Sequence, residues 1–169
     1  MPEPGLSLDL PGAASTEALG AALAATLPAG PVLLTLAGDL GAGKTTLTRG
    51  LLRALGVTGP IRSPTYTLVE PYATRAGEVL HLDLYRLAGP YELGELGYRD
   101  LAASAALVIV EWPERAAGAL GAADLALRLD LAGAGRRAEL SAGSPRGEGW
   151  LGNLAARQAA AGGLVKDRS

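Results

Sequence analysis

The stretch LAGDLGAGKTTL, residues 36–47, places three glycines, one lysine and two threonines directly after an apolar run. Within it, Gly38-x-x-x-x-Gly43-Lys44-Thr45 has the spacing of a phosphate-binding loop. Glycines open backbone conformations closed to residues with a Cβ, so successive N–H groups can point inward around phosphate oxygens. A helix behind such a loop adds unpaired N–H groups and the positive end of its dipole. Lys44 then supplies a compact charge to the outer phosphates, and the Thr45 hydroxyl a ligand for Mg²⁺. Thirteen of the fifteen basic residues are arginine, so a lysine at this position adds weight. The plainer alternative is a glycine-rich turn that only connects two elements.

Phosphoryl chemistry also needs a carboxylate to organise the metal and the attacking water. Asp83 in HLDLYR and Glu111 in LVIVE each end an apolar run, where parallel strands deliver side chains to a ligand crevice. Either suits the magnesium shell; the bland alternative is a polar strand end facing solvent. Thr65 in SPTYT is a third candidate, because a hydroxyl there suits a switch-like loop near a γ-phosphate. Against it stands a simple turn followed by a β-branched strand residue. His81 reads as packed or hydrogen-bonded within the structure and not as catalytic. Trp112, beside Glu111, reads either as a ring near the nucleotide or as a core residue.

These residues need elements to hold them. Ser15 to Leu27 has leucines every four residues and Ser15 or Thr16 to cap it, which predicts a helix. Val32 to Ala37 predicts a buried strand, and Lys44 to Leu55 a helix stopped by Gly56. Thr65 to Tyr72, Glu78 to Leu84 and Ala105 to Glu111 read as strands, with a short helix starting near Pro90. Ala123 to Leu131 and Arg137 to Ser141 suit a hairpin, and Trp150 to Ala161 a last helix. Residues 1–12 read as a loose lead-in and 163–169 as a frayed tail, leaving one domain over 1–162. Alternating strands and helices predict an α/β fold of the P-loop NTPase kind. Its sheet is mostly parallel with helices on both faces and a late antiparallel portion.

Composition bounds the partners. A chain of 169 residues with 49% hydrophobic and 19% charged residues describes an ordinary globular domain. Without cysteine, disulfides and thiolate metal sites are excluded. Neither a signal peptide nor a membrane-length apolar run is visible, so a soluble, cytoplasmic protein is expected. The net charge of −2, with basic residues scattered, argues against DNA and against a direct grip on RNA.

Four stretches in this order, GDLGAGKTT (38–46), SPTYTLVEPY (63–72), HLDLYRL (81–87) and VEWPE (110–114), resemble the bacterial TsaE (YjeE) family. That resemblance implies a P-loop ATPase needed to build threonylcarbamoyladenosine into tRNA, acting with TsaD and TsaB and touching tRNA only indirectly. It implies that Gly41, Ala42, Gly43, Lys44, Thr45 and Thr46 hold the ATP phosphates, with Thr45 and Glu111 on Mg²⁺. Asp83 would act near the γ-phosphate, Thr65 in the switch-like loop, and segments around Thr16 and Arg136–Arg137 would border the adenine.

Two other classes share the loop. A small-molecule kinase would want an arginine-bearing lid, for which Arg136–Arg137 is a poor candidate. A nucleotide-gated binding module would use the same residues with incidental turnover. A GTPase is disfavoured, because no Asn-Lys-x-Asp guanine-reading loop occurs. All five tyrosines fall between 66 and 98, which suggests either a partner-facing surface or core filling in a chain without phenylalanine.

Overall fold

The computed structural model describes residues 5–162 and, for its backbone, 165–168. Eight strands form one sheet: β1 Gly5–Leu10, β2 Val32–Ala37, β3 Val69–Thr74, β4 Gly77–Asp83, β5 Leu107–Glu111, β6 Leu125–Ala132, β7 Gly135–Ala142 and β8 Val165–Arg168. Their order across the sheet is β3-β4-β5-β2-β6-β7-β1-β8. The centre is parallel, β4 with β5, β5 with β2 and β2 with β6. Both flanks are antiparallel, through β3–β4 on one side and β6–β7, β7–β1 and β1–β8 on the other.

Five α-helices cover the two faces: α1 Ala13–Ala25, α2 Lys44–Ala54, α3 Tyr91–Glu95, α4 Tyr98–Ser104 and α5 Pro145–Ala160. On one face Leu19, Leu23, Leu47, Leu51 and Trp150 from α1, α2 and α5 bury against Leu34, Leu36, Ile109 and Leu127. On the other, Leu93 and Tyr98 close over Leu33, Leu80, Leu82 and Val110. Strands β2 and β5 read as continuous apolar runs because both of their faces are covered. The α/β fold with helices on both faces and a late antiparallel portion is therefore as the sequence predicts.

Helices α1 and α2 pack unusually closely. A Cβ on Gly20 would stand 2.1 Å from the Leu47 carbonyl oxygen, and one on Gly50 2.2 Å from that of Glu17. Reciprocal glycines therefore let the two backbones meet, which brings the start of α1 beside the phosphate-binding loop.

Several boundaries differ from expectation. From Gly5 onward the lead-in is not loose: Leu6, Leu8 and Leu10 alternate into the core on β1, a period-2 pattern obscured by flanking prolines and glycines, while residues 1–4 lie outside the described residues. Helix α1 is capped by Gly12, and Ser15 sits at the third helical position, its hydroxyl accepting from the Gly12 N–H at 3.0 Å. Residues 65–67 form a turn, with β3 beginning only at Val69. Helix α4 was not foreseen, and α5 starts at Pro145, capped by the Ser144 hydroxyl, which accepts from the Gly147 N–H. Glycines 147, 149 and 152 mask that longer helix by their poor intrinsic propensity. Of the expected tail, Val165–Arg168 pairs as β8 along the otherwise open edge of β1, while residues 163, 164 and 169 lie outside the described residues.

Candidate nucleotide-binding site

Strand β2 ends at Ala37, and the chain turns through Gly38–Gly43 into α2. Gly41 and Gly43 have φ of +79° and +107°, conformations that cost a residue with a Cβ roughly 1 kcal/mol or more. Gly43 is also the N-cap of α2, with no side-chain cap on the helix's first N–H groups. An anion would satisfy them. Lys44 is 5% exposed and folds back over the loop, donating to the carbonyls of Gly38 and of Asp39, the latter at 3.0 Å. Its ammonium lies 4.2 Å from the centre of the Trp112 ring. Burial lowers the Lys44 pKa from its ordinary 10.5, while Glu111, Asp83, Glu114 and Asp39 oppose that by attraction.

The two carboxylates come from neighbouring parallel strands. Asp83 ends β4, Glu111 ends β5, and the register pairs them directly. The Glu111 Oε1 accepts from the Thr45 hydroxyl at 3.4 Å, and its Oε2 from His81 Nε2 at 2.6 Å. Asp83 is held differently: Oδ2 accepts from the hydroxyls of Ser63 and, at 3.5 Å, Thr65, while Oδ1 accepts from the Tyr85 N–H at 3.0 Å. Thr65 reaches Asp83 because residues 65–67 turn; as a strand residue it would have been committed to a ladder. Together these groups line a cavity of about 380 Å³ that contains Gly41, Gly43, Lys44, Thr45, Thr46, Thr65, Asp83 and Glu111.

Among the described residues, no three His, Cys, Asp or Glu side chains cluster as a metal cage. A Mg²⁺ ion keeps several waters and binds through one or two protein oxygens plus phosphates. The Thr45 hydroxyl and Glu111 Oε1 are the oxygen pair it would need. Asp83 takes three donors, from Ser63, Thr65 and Tyr85, which leaves one of a carboxylate's roughly four acceptor sites open, on Oδ1.

Behind the loop a smaller recess of about 160 Å³ lies between Thr16, Thr46 and Arg136. Arg136 donates to the carbonyls of Ala42 and Gly41, both at 3.0 Å, bracing the loop from the β7 side. Arg137, offered from the sequence as a nucleotide contact, is not there. Alternation along β7 turns it to the other face, where it pairs with Asp9 at 3.3 Å. Thr16 does border the recess, its hydroxyl donating to the Gly12 carbonyl at 3.3 Å. Sequence reasoning missed Ser63 and the Glu111 partner of His81, although both lie in motifs already singled out. Trp112 lines the site and also packs against the second core cluster, at φ +59° and 4.9 Å from the Tyr85 ring.

The profile of the family described as "Threonylcarbamoyl adenosine biosynthesis protein TsaE" matches residues 10–138. A Haemophilus influenzae protein named tRNA threonylcarbamoyladenosine biosynthesis protein TsaE is 46% identical over 66% of this chain and 70% of its own length. A Synechocystis protein of the same name is 43% identical over 68% of this chain and 74% of its own. The crystal structure of Bacillus subtilis YdiB superposes with a TM-score of 0.74 at 29% identity, covering 91% of this chain and 96% of that one.

Proposed function

The chain belongs to the TsaE family, and from that premise we propose that it binds Mg-ATP and hydrolyses it in support of tRNA threonylcarbamoyladenosine biosynthesis. The observation that carries this reading is the register of β4 and β5, which sets Asp83 and Glu111 side by side at the mouth of the phosphate-binding loop. A loop without those acids would bind phosphate and do nothing more. Adenine is favoured by the absence of a guanine-reading motif, with the base in the recess by Thr16 and Arg136.

Mg²⁺, when bound, offsets charge on the outer phosphate oxygens. The protein's own residues do the rest. Loop N–H groups and Lys44 hold and orient the phosphates, and Thr45 with Glu111 supplies oxygens on the metal side. Asp83 accepts a hydrogen bond from the water that attacks the γ-phosphorus as the bridging oxygen leaves with ADP. Ser63 and Thr65 keep that carboxylate aimed. One domain over 1–162 carries this machinery, with TsaD and TsaB as working partners in the cytoplasm and tRNA reached through them. Among the described residues, no helix is long and apolar enough to cross a membrane.

Phosphate release from Mg-ATP, measured for the protein alone and with TsaB and TsaD added, tests this. Low release alone and clear stimulation by the partners is expected; equal turnover in both cases would sink it. Asp83→Asn should lower turnover by about 10²–10³-fold while nucleotide binding persists. If that variant still supported tRNA modification, the ATP state would act as a gate and hydrolysis would be incidental.

A further inference from the structure

Glu111 is gripped from behind as well as facing the loop. His81 pairs with Ile109 and Asp83 with Glu111 in the parallel register of β4 and β5. Side chains alternate along a strand, so all four stand on the sheet face that α2 covers, with His81 one pleat deeper than Glu111. His81 is fully buried, and its Nε2 lies 2.6 Å from Glu111 Oε2. A carboxylate only accepts, so Nε2 carries the hydrogen and donates it. Nδ1 is the one buried side-chain polar atom among the described residues without a partner.

That orphan atom is informative. A residue placed there to pack would be better as leucine or phenylalanine, which leave no buried nitrogen unsatisfied. The imidazole carries that cost and makes a single polar contact, to Glu111. We infer that His81 is a positioning residue: it occupies Glu111 Oε2 and so presents Oε1 alone toward Thr45 and the metal. This rests on the reading of Glu111 as a metal-side acid. A free glutamate samples many rotamers and can swing either oxygen or both toward an ion. Pinned by His81, it offers one oxygen in one direction, which suits the strict octahedral demand of Mg²⁺ and leaves room for water and phosphate.

The test is the gain in ADP affinity on adding Mg²⁺, measured by calorimetry as the ratio of Kd in EDTA to Kd with Mg²⁺. His81→Gln can place an amide N–H near the position of Nε2, whereas the shorter His81→Asn cannot reach Glu111. His81→Asn should lose about tenfold or more of the Mg²⁺-dependent gain, as loss of a group orienting a metal ligand typically does. His81→Gln should keep most of it, and both should bind ADP in EDTA like the wild type. Equal gains in Gln, Asn and wild type would overturn the positioning role. So would an equal loss of EDTA affinity and thermal stability in both variants, which would show a packing role. A wild type with no Mg²⁺-dependent gain would instead overturn the metal-side reading of Glu111 itself, and this inference with it.

Discussion

Lys44 is where burial and charge pull hardest against each other. Burial lowers its pKa from 10.5, and four nearby acids only partly restore it. A bound phosphate adds negative charge, raises the pKa again and draws a proton onto the amine wherever the free protein has begun to lose it. ADP affinity should therefore fall as pH rises through the lowered Lys44 value, and a titration calorimetry series would show it. The Lys44→Arg variant stays charged and should lack that alkaline fall. The same shift affects folding with a defined sign. Below the lowered pKa the fold carries the cost of a buried ammonium, and that cost lifts as pH rises toward 10.5.

At the scale of elements, the contact between α1 and α2 decides whether Thr16 and the phosphate-binding loop share one recess. Gly50→Ala would put a methyl group 2.2 Å from the Glu17 carbonyl oxygen, a backbone atom that cannot rotate aside. Overpacking of this kind costs about 1–3 kcal/mol, which in a domain of this size lowers Tm by roughly 2–10 °C. Thermal denaturation measures it, and an unchanged Tm would mean that the helices separate freely. Gly152, with open space around its Cβ position, is the control, and Gly152→Ala should leave Tm unchanged or raise it.

For the whole molecule, the tyrosines divide. Tyr98 is buried and its hydroxyl donates to the Leu120 carbonyl at 3.1 Å, so it belongs to the core. Tyr66 and Tyr91 are 83% and 65% exposed, and Arg86 lies 4.7 Å from the centre of the Tyr66 ring. Tyr66 follows Thr65, which holds Asp83, so a partner touching that ring would press on the site. Tyr66→Ala and Tyr91→Ala should leave stability within about 0.5 kcal/mol, as exposed sites do, while lowering stimulation of ATP turnover by TsaB and TsaD. Full stimulation in both would remove this surface from the partner interface. Tyr98→Phe should instead cost about 1 kcal/mol of stability and leave stimulation intact.

What the sequence determined by itself is local. The spacing from Gly38 to Thr45 dictates a loop whose purpose follows from backbone geometry within eight residues, and the β2 and β5 runs announce buried strands. The acids at 83 and 111 were legible because strand ends are where such sheets present ligands. What the tertiary structure decided depends on register and alternation, which pair residues far apart in the chain. His81 and Glu111 meet across thirty positions only because β4 and β5 lie parallel in one register. Arg136 braces the loop and Arg137 does not, although the two are adjacent and chemically identical. Neighbours on a strand point to opposite faces, and only the pairing of β7 with β1 and β6 settles which face is which.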